Sequence, residues 1–309
     1  MRIFTHLQEI NPKNFDNAVV TVGVFDGMHL GHQAILRDLL RLAEIKKGEG
    51  VIVTFDRHPA ETLTGKAPPW ILSLAHRMLI LQRASAQNVV IMAFDEKMAS
   101  LTAEGFIREI LKEQFGAVGL VMGPGNNFGK GGEGTVKTAR KLGKKHGIQV
   151  IETQPVIVKG KTVSSTAIRE AILRGDLDEA NSMMGRPVTL LGEVVEGEGR
   201  GRKIGFPTAN LDLRGEILPP NGVYAGTTTY QRRVFRSMMN IGVRPTFSGD
   251  KRVVEVHLLD FQGDLYGLSI EVTLLAHLRE EKKFDRVEDL VQQLERDRNR
   301  TRNAISTPS

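Results

Sequence analysis

Short apolar runs alternate with helical patterns over the first half of the chain. Runs typical of buried strands occupy residues 18–24, 51–55, 89–94, 118–122 and 149–151. Between them, apolar residues recur at helical spacing over residues 33–46, 74–86, 102–114 and 135–145. Because strands that alternate with helices form β-α-β units, this half predicts an α/β doubly wound domain with a parallel sheet. Such sheets bind ligands beyond the carboxyl ends of their strands.

The pattern changes near residue 185. Two short helical segments, 166–173 and 177–184, precede it, and strand-like segments follow at 188–196, 222–230, 233–241, 252–261 and 268–278. Many short strands without intervening helices predict an antiparallel β-barrel or sandwich. An amphipathic helix over residues 286–301 closes the chain. We therefore expect a first domain of residues 1–185 and a second, antiparallel β-barrel domain with a C-terminal helix, of residues 186–309.

Composition and charge exclude several classes of protein. The 309 residues include no cysteine, which excludes disulfides and thiolate metal sites. Apolar runs are shorter than the roughly 20 residues that a membrane span needs, and the N-terminus lacks the apolar core of a signal peptide. We expect a cytoplasmic protein without membrane partners, a monomer or weak homo-oligomer.

The net charge of +6 suits either nucleic acid or anionic small molecules. The densest basic run, residues 140–147, is typical of a solvated helix face. One Trp and three Tyr give few platforms for base stacking. We therefore expect small-molecule substrates and no nucleic acid as partner.

The segment GVFDGMHLGH, residues 23–32, lies where the first buried strand leads into a helix. A glycine-rich turn before a helix exposes backbone N–H groups and the positive end of the helix dipole, which favours anions. The segment is neither a Walker loop nor a dinucleotide fingerprint. His29 and His32 have three possible roles: structural histidines, zinc ligands, or hydrogen-bond donors to a transferring phosphoryl group. The lack of a third ligand disfavours the zinc site.

This segment resembles the G-x-F-D-G-x-H-x-G-H motif of nucleotidyltransferases with an H-x-G-H signature. A second element, SSTAIRE, follows at residues 164–170 and offers hydroxyl caps and an arginine for phosphate oxygens. The resemblance implies catalytic roles for His29, His32 and Arg169. It also implies that ATP phosphates are bound by Gly23, Phe25, Asp26, Gly27, Gly31, Ser164, Ser165 and Thr166.

The second half carries GRKIGFPTANL, residues 201–211. Thr208 and Asn210 share a face in extended chain and offer the hard oxygen ligands that suit Mg²⁺, although an ordinary loop would look the same. Further on, Glu255 and His257 alternate with apolar residues along one strand. We expect Glu255 on the inner face of the barrel as a general base; a solvent-facing pair is the alternative.

These segments together resemble riboflavin kinase from about residue 185 onwards, and the whole chain resembles the bacterial bifunctional riboflavin kinase/FAD synthetase family. The resemblance implies that the protein phosphorylates riboflavin to FMN with ATP and then adenylylates FMN to FAD with ATP, releasing pyrophosphate. It also implies that Mg²⁺ is the cofactor. Glu255 is then the base that accepts the proton of the ribityl 5′-hydroxyl, and Thr208 and Asn210 bind Mg²⁺. The resemblance also implies that Gly201 and Gly205 belong to the ATP-binding site.

One loop departs from the family pattern Gly-x-Asp/Asn-Phe-x-Phe-Gly. Residues 123–129 read GPGNNFG, with Gly125 at the acidic or amide position. Asn126, Asn127 and Phe128 are the candidates for flavin binding. The departure leaves open a riboflavin kinase whose adenylyltransferase half is weak or inactive. A basic nucleic-acid-binding module and a flavin sensor without turnover are the non-enzymatic alternatives.

Overall fold

The computed structural model describes residues 1–305 except 198, 232, 247 and 248, and gives only the backbone of residues 245, 246 and 249–251. The chain divides into two compact units. Unit 1 comprises Met1–Pro69 and Arg77–Ser164, and unit 2 comprises Trp70–His76 and Ser165–Ser309. The expected domain boundary between residues 185 and 186 stays a prediction.

Unit 1 is built on a six-stranded parallel sheet in the order β1-β4-β3-β2-β5-β6. Its strands are β1 (Arg2–Phe4), β2 (Val19–Val22), β3 (Gly50–Phe55), β4 (Asn88–Met92), β5 (Gly119–Met122) and β6 (Gln149–Glu152). A small antiparallel pair follows, β7 (Ile157–Val158) and β8 (Lys161–Thr162). The helices are α1 (Leu30–Ile45), α2 (Pro59–Thr64), α3 (Leu74–Arg83, of which residues 77–83 belong to this unit), α4 (Glu96–Ser100), α5 (Ala103–Gly105) and α6 (Val136–His146).

The central strands of this sheet form because their sequences are apolar on both faces. Strands β3, β4 and β5 are buried at every residue, as is typical of parallel strands covered by helices on both sides. The predicted parallel sheet is confirmed. Sequence analysis missed β1, a three-residue edge strand, and expected an α-helix where Phe106–Gln114 continues α5 as a π-helix.

Among the described residues of unit 2, six antiparallel strands close into a barrel in the order β9-β10-β13-β12-β11-β14. The strands are β9 (Thr189–Val195), β10 (Ala209–Asp212), β11 (Gly222–Tyr230), β12 (Arg233–Thr246), β13 (Gly249–Leu258) and β14 (Ser269–Arg279). The helices are α7 (Ser165–Arg174), α8 (Leu177–Met184), α9 (Arg200–Lys203) and α10 (Val287–Ala304). The predicted barrel and C-terminal helix are confirmed, whereas β10, which contains part of the PTAN segment, was missed.

The barrel has an apolar interior and a partly covered outer wall. Alternate residues such as Met239, Val256 and Val272 are fully buried, because the interior of a small barrel is only wide enough for side chains. On the outer wall, Val291 and Leu294 of α10 pack against a cluster that includes Phe206. Helix α10 therefore covers one side of the barrel.

No helix in the described part of the chain has both the length and the hydropathy that a bilayer crossing requires.

Candidate active sites

The first candidate site lies at the carboxyl ends of β2 and β5. The chain runs from β2 outwards through β3 and β4 on one side and returns to β5 on the other side. The crevice at such a reversal is the usual ligand site of an open parallel sheet. The loop with the H-x-G-H motif follows β2, and the loop of residues 123–129 follows β5, so sequence motifs flank the crevice on both sides.

The turn before α1 is held in an unusual backbone conformation. Phe25, Gly27 and Met28 have φ angles of 52°, 87° and 42°, in a region that L-residues other than Asn and Asp rarely adopt. The side chains of Phe25, Asp26 and Met28 are each 1 % exposed, so packing keeps the turn in this conformation. Strain of this kind concentrates at ligand-binding turns.

His29 caps the N-terminus of α1 with its own ring. Its Nδ1 accepts the backbone N–H of His32 at 3.2 Å, so the neutral His29 ring carries its proton on Nε2, where it is a hydrogen-bond donor. The two imidazoles stack with centroids 3.6 Å apart. Gly31 permits this arrangement, because a Cβ there would lie 3.1 Å from the His29 ring and 3.8 Å from the carbonyl oxygen of Val163.

His32 is held neutral in the free protein. Burial lowers the pKa of His32 well below its usual value, and the neighbouring His29 lowers it further. The buried Nδ1 of His32 has no hydrogen-bonding partner among the described residues. At neutral pH His32 is therefore an uncharged ring with an unsatisfied polar atom, which suits a hydrogen bond to a ligand.

The loop of residues 123–129 keeps its turn despite the departure at Gly125. Gly125 has a φ of 70°, and a Cβ added there would meet only open space; Asn and Asp tolerate this conformation best among the other residues. Asn126 donates its N–H to the Gly123 carbonyl at 3.2 Å and, like Asn127, is exposed. Phe128 instead is half-buried and packs against the core, with its ring centroid 5.5 Å from that of Phe106.

The SSTAIR element falls at the start of α7. Ser164 is the last residue of unit 1, while Ser165 and Thr166 open α7 in unit 2. Arg169 is partly exposed and follows the buried Ile168. The phosphate-binding roles of these residues stay predictions.

The second candidate site is a cavity of about 600 Å³ in unit 2. The loop after β9, the outer wall of the barrel and helix α10 enclose it. The structure brings together four residues that the sequence singled out, Thr208, Asn210, Glu255 and His257. The cavity is also lined by polar residues that sequence analysis missed, namely Arg200, Asn240, Arg244, Arg279, Glu281 and Lys282.

The expected position of Glu255 on the inner face of the barrel is wrong. Its neighbours Val254 and Val256 are 1 % and 0 % exposed and fill the interior, so the alternation of the strand turns Glu255 outwards into the cavity. A closed six-stranded barrel leaves no room inside for a hydrated carboxylate.

The pairing register of strands β10, β13 and β12 places three polar side chains next to one another in the cavity. Asn210 of β10 lies opposite Glu255 of β13, and Glu255 lies opposite Asn240 of β12. Directly opposed residues bring their side chains close together. Arg244 also approaches Glu255, with Nη2 3.4 Å from Oε1.

His257 has a defined proton position beside Glu255. Its Nδ1 lies 2.7 Å from the Pro207 carbonyl oxygen, which can only accept, so Nδ1 carries a proton. Burial lowers the pKa of His257; the Pro207 hydrogen bond opposes this effect. The neutral ring therefore presents Nε2 as an acceptor.

The donor set in this cavity fits Mg²⁺. The buried Oδ1 of Asn210 has no hydrogen-bonding partner within the described residues, and the Thr208 hydroxyl and the Glu255 carboxylate line the same cavity. Neutral and anionic oxygens of this kind are what Mg²⁺ binds alongside phosphates. In the described residues, no group of three or more His, Asp or Glu gathers that could hold a metal, so phosphate oxygens and water would complete the shell.

Glycines let the adjoining loop approach these ligands. A Cβ at Gly197 would overlap the Asn210 amide, and one at Gly201 would overlap the Phe206 carbonyl and lie 3.4 Å from the Thr208 hydroxyl. Gly201 lines the cavity. Gly205 has a φ of 83° and closes the turn after α9 rather than lining the cavity.

The two folds and their sites define an enzyme of the phosphate-transferring class. One unit has an H-x-G-H turn at the switch point of a parallel sheet, and the other has an oxygen-rich cavity on a closed barrel. Residues 11–167 match the family model described as FAD synthetase, and residues 184–305 match the model described as riboflavin kinase. The chain belongs to the bifunctional riboflavin kinase/FMN adenylyltransferase family, which confirms the resemblance and sets aside the non-enzymatic alternatives.

Relatives carrying that description match nearly the full chain. The protein from Escherichia coli (strain K12) is 34% identical over 299 residues, covering 96% of each chain. The protein from Bacillus subtilis (strain 168) is 33% identical over 306 residues, covering 95% of this chain and 94% of its own. The fold also matches a crystal structure from Streptococcus pneumoniae described as a macrolide-efflux protein, with a TM-score of 0.84, 34% identity and coverage of 98% and 99%.

Proposed function

We propose that this chain phosphorylates riboflavin to FMN in unit 2 and adenylylates FMN to FAD in unit 1, each time with ATP. The main support for the proposal is that each family match covers a candidate site: the FAD synthetase match includes the H-x-G-H turn, and the riboflavin kinase match includes the cavity with Glu255. The alternative of a kinase alone has no support from relatives that match both halves and are described as bifunctional.

In the kinase step, Glu255 takes the proton from the ribityl 5′-hydroxyl, and that oxygen attacks the γ-phosphorus of ATP while ADP leaves. The carboxylate of Glu255 lies in the cavity beside Asn210 and Asn240. The proposal therefore requires the ribityl tail of riboflavin to enter this cavity, within hydrogen-bonding distance of Glu255. Thr208 and Asn210 would hold Mg²⁺. When bound, the metal ion supplies neutralisation of the phosphate charge.

In the adenylyl step, a phosphate oxygen of FMN attacks the α-phosphorus of ATP, and pyrophosphate leaves. His29 donates from Nε2, because its Nδ1 is engaged by the helix, and His32 offers its unsatisfied ring nitrogen. Both stabilise charge on the phosphate oxygens. Arg169, Ser164, Ser165 and Thr166 complete the predicted phosphate ligands, together with Phe25, Asp26, Gly27 and Gly31 of the turn. Gly23 stays a predicted part of this ATP site, although its N–H donates to the Val53 carbonyl oxygen at 3.0 Å. Asn126, Asn127 and Phe128 stay candidates for the flavin side.

A product assay tests both steps at once. Purified protein is incubated with riboflavin, ATP and Mg²⁺, and the flavins are separated by chromatography; we expect FMN and then FAD. A parallel reaction starts from FMN and follows pyrophosphate. Absence of both FMN and FAD in the first reaction refutes the kinase step, and absence of FAD in the second refutes the adenylyl step.

Three further properties belong to this proposal. We infer a cytoplasmic location from the composition, Mg²⁺ as the cofactor from the oxygen donors, and a monomeric or weakly homo-oligomeric state. Their support is the sequence and, for Mg²⁺, the buried acceptor of Asn210.

A further inference from the structure

Arg77 lies buried at the carboxyl ends of β2 and β3. Its side chain is 0 % exposed. Nη1 donates to the carbonyl oxygen of Val24 at 2.7 Å and to Oγ1 of Thr54 at 2.8 Å, and Nη2 donates to the carbonyl oxygen of Phe55 at 3.0 Å. Thr54 Oγ1 in turn donates to the Val24 oxygen at 3.1 Å. One guanidinium thus holds the backbone where both strands end.

The burial of this charge calls for an explanation beyond stability. Burial lowers the pKa of Arg77 to about 10, against the opposing influence of Asp26 and Asp56, so the side chain stays cationic at neutral pH. Asp26 is itself buried in the H-x-G-H turn. Buried charges seldom stabilise a fold more than apolar side chains of similar volume would. A role of Arg77 in the neighbouring H-x-G-H site accounts for the charge better than fold stability does.

The bonds of Arg77 set the direction of one peptide group in the turn. A trans peptide points its C=O and N–H in opposite directions, and the described residues contain no cis peptide. Because Arg77 and Thr54 hold the Val24 carbonyl on their side, the N–H of Phe25 faces away from them. Phe25 then takes its φ of 52°, and the chain turns towards His29.

The same bonds change the charge at this edge of the sheet. Carbonyl oxygens at the carboxyl ends of strands carry partial negative charge, which would repel a triphosphate. Arg77 engages two of these oxygens, those of Val24 and Phe55, and adds a fixed positive charge behind the turn. Preorganised donors and charges of this kind favour negative charge that develops during reaction.

We propose that Arg77 is a positioning residue for adenylyl transfer, which orients the GVFDG turn and neutralises the strand ends beneath the ATP phosphates. The proposal rests on the adenylyltransferase function proposed for unit 1. Sequence analysis missed this residue because its acceptors lie 22 and 53 positions away along the chain.

The first test compares Arg77→Met with Arg83→Met, which removes an exposed arginine from the same helix. Rates of FAD formation from supplied FMN are measured at varied ATP and normalised to folded protein by thermal unfolding and by the riboflavin kinase rate of the same sample. We expect kcat to fall about 100-fold in Arg77→Met, as for loss of one transition-state donor, with little change in KM, and wild-type kinetics in Arg83→Met. A purely structural role predicts an unchanged kcat per folded molecule, and that result overturns the proposal.

Two milder variants keep the test decisive if Arg77→Met does not fold. Arg77→Lys retains the charge without the planar fork, and Thr54→Val removes the hydroxyl that shares the Val24 oxygen. We expect kcat to fall roughly tenfold and threefold respectively, as for weakened or lost hydrogen bonds. Wild-type kcat in both folded variants overturns the proposal. If the wild type and Arg83→Met also fail to make FAD from FMN, the function proposed for unit 1 fails with it.

Discussion

The stacked pair of imidazoles makes a prediction about protonation. Replacing His29 by alanine removes both a neighbouring ring and part of the burial that disfavour a charge on His32. We therefore expect the pKa of His32 to rise towards its ordinary value in His29→Ala. NMR of the imidazole nitrogens during a pH titration measures this change. The exposed His6 serves as internal control; an unchanged His32 titration contradicts the stacked contact.

The same pair predicts a loss of one activity. In the double variant His29→Ala/His32→Ala, FAD formation from supplied FMN should slow about 100-fold or more, because two donors to the phosphates are lost. FMN formation from riboflavin should stay within about twofold of wild type, since those histidines belong to unit 1. An unchanged FAD rate would reduce the pair to a helix cap.

Glu255 should separate the two activities in the opposite direction. Glu255→Gln keeps the size of the side chain but removes the base, so FMN formation should fall by roughly 10²- to 10⁴-fold. Adenylylation of supplied FMN should persist. The matched control is Glu193→Gln on strand β9, outside the cavity; equal FMN rates in the two variants would exclude Glu255 as the base.

At the scale of elements, local patterns predict strands and helices but not their partners. The alternation of residues around Glu255 correctly predicted that strand β13 has an apolar face and a polar face. Which face points into the barrel depends on how the barrel closes and on where α10 packs against its outer wall. Asn240 was missed for the same reason, because its place beside Glu255 comes from cross-strand register. Strand β10 was hidden by the turn-like composition of the residues before it.

A buried cluster in unit 2 predicts a pH-dependent stability. His76 is 0 % exposed, with Nδ1 2.9 Å from Glu216 and Nε2 3.1 Å from Glu271. Burial acts to lower the pKa of His76, but the hydrogen bonds and charges of the two glutamates outweigh it and raise the pKa. The stabilisation is therefore complete below the ordinary histidine pKa and is lost as pH rises through the raised value.

From this linkage we expect the free energy of unfolding to decline as the pH rises above the ordinary histidine pKa and through the raised pKa of His76. His76→Leu should remove that part of the slope and destabilise the protein by about 3–5 kcal/mol, because two buried carboxylates lose their partner. Urea unfolding at several pH values measures both effects, with the exposed His6→Leu as control. Identical slopes in wild type and His76→Leu would contradict the linkage.

For the whole molecule, the change of pattern near residue 185 predicted two kinds of fold but not the limits of the compact units. Residues 70–76 belong to unit 2 because their contacts come from far along the chain. The Ser73 N–H, for example, donates to Glu216, 143 positions away. No local pattern carries such information, whereas the separated motifs in their order were enough to indicate the family.

We expect the proposed kinase reaction to depend on Mg²⁺. Chelation by EDTA should stop FMN formation, and added Mg²⁺ should restore it. Asn210→Ala should raise the Mg²⁺ concentration for half-maximal rate about tenfold or more, as for other losses at metal sites. Asn303→Ala, on the exposed side of α10, is the control; an unchanged Mg²⁺ dependence in Asn210→Ala would place the ion elsewhere.

Gly197 has a consequence for how the gene can vary. Because any side chain there would overlap the Asn210 amide, a nucleotide change in the first or second position of this glycine codon removes the fit of the loop against a predicted magnesium ligand. Only the third position can drift silently. In a library selected for growth without external FMN, codon 197 should therefore remain glycine.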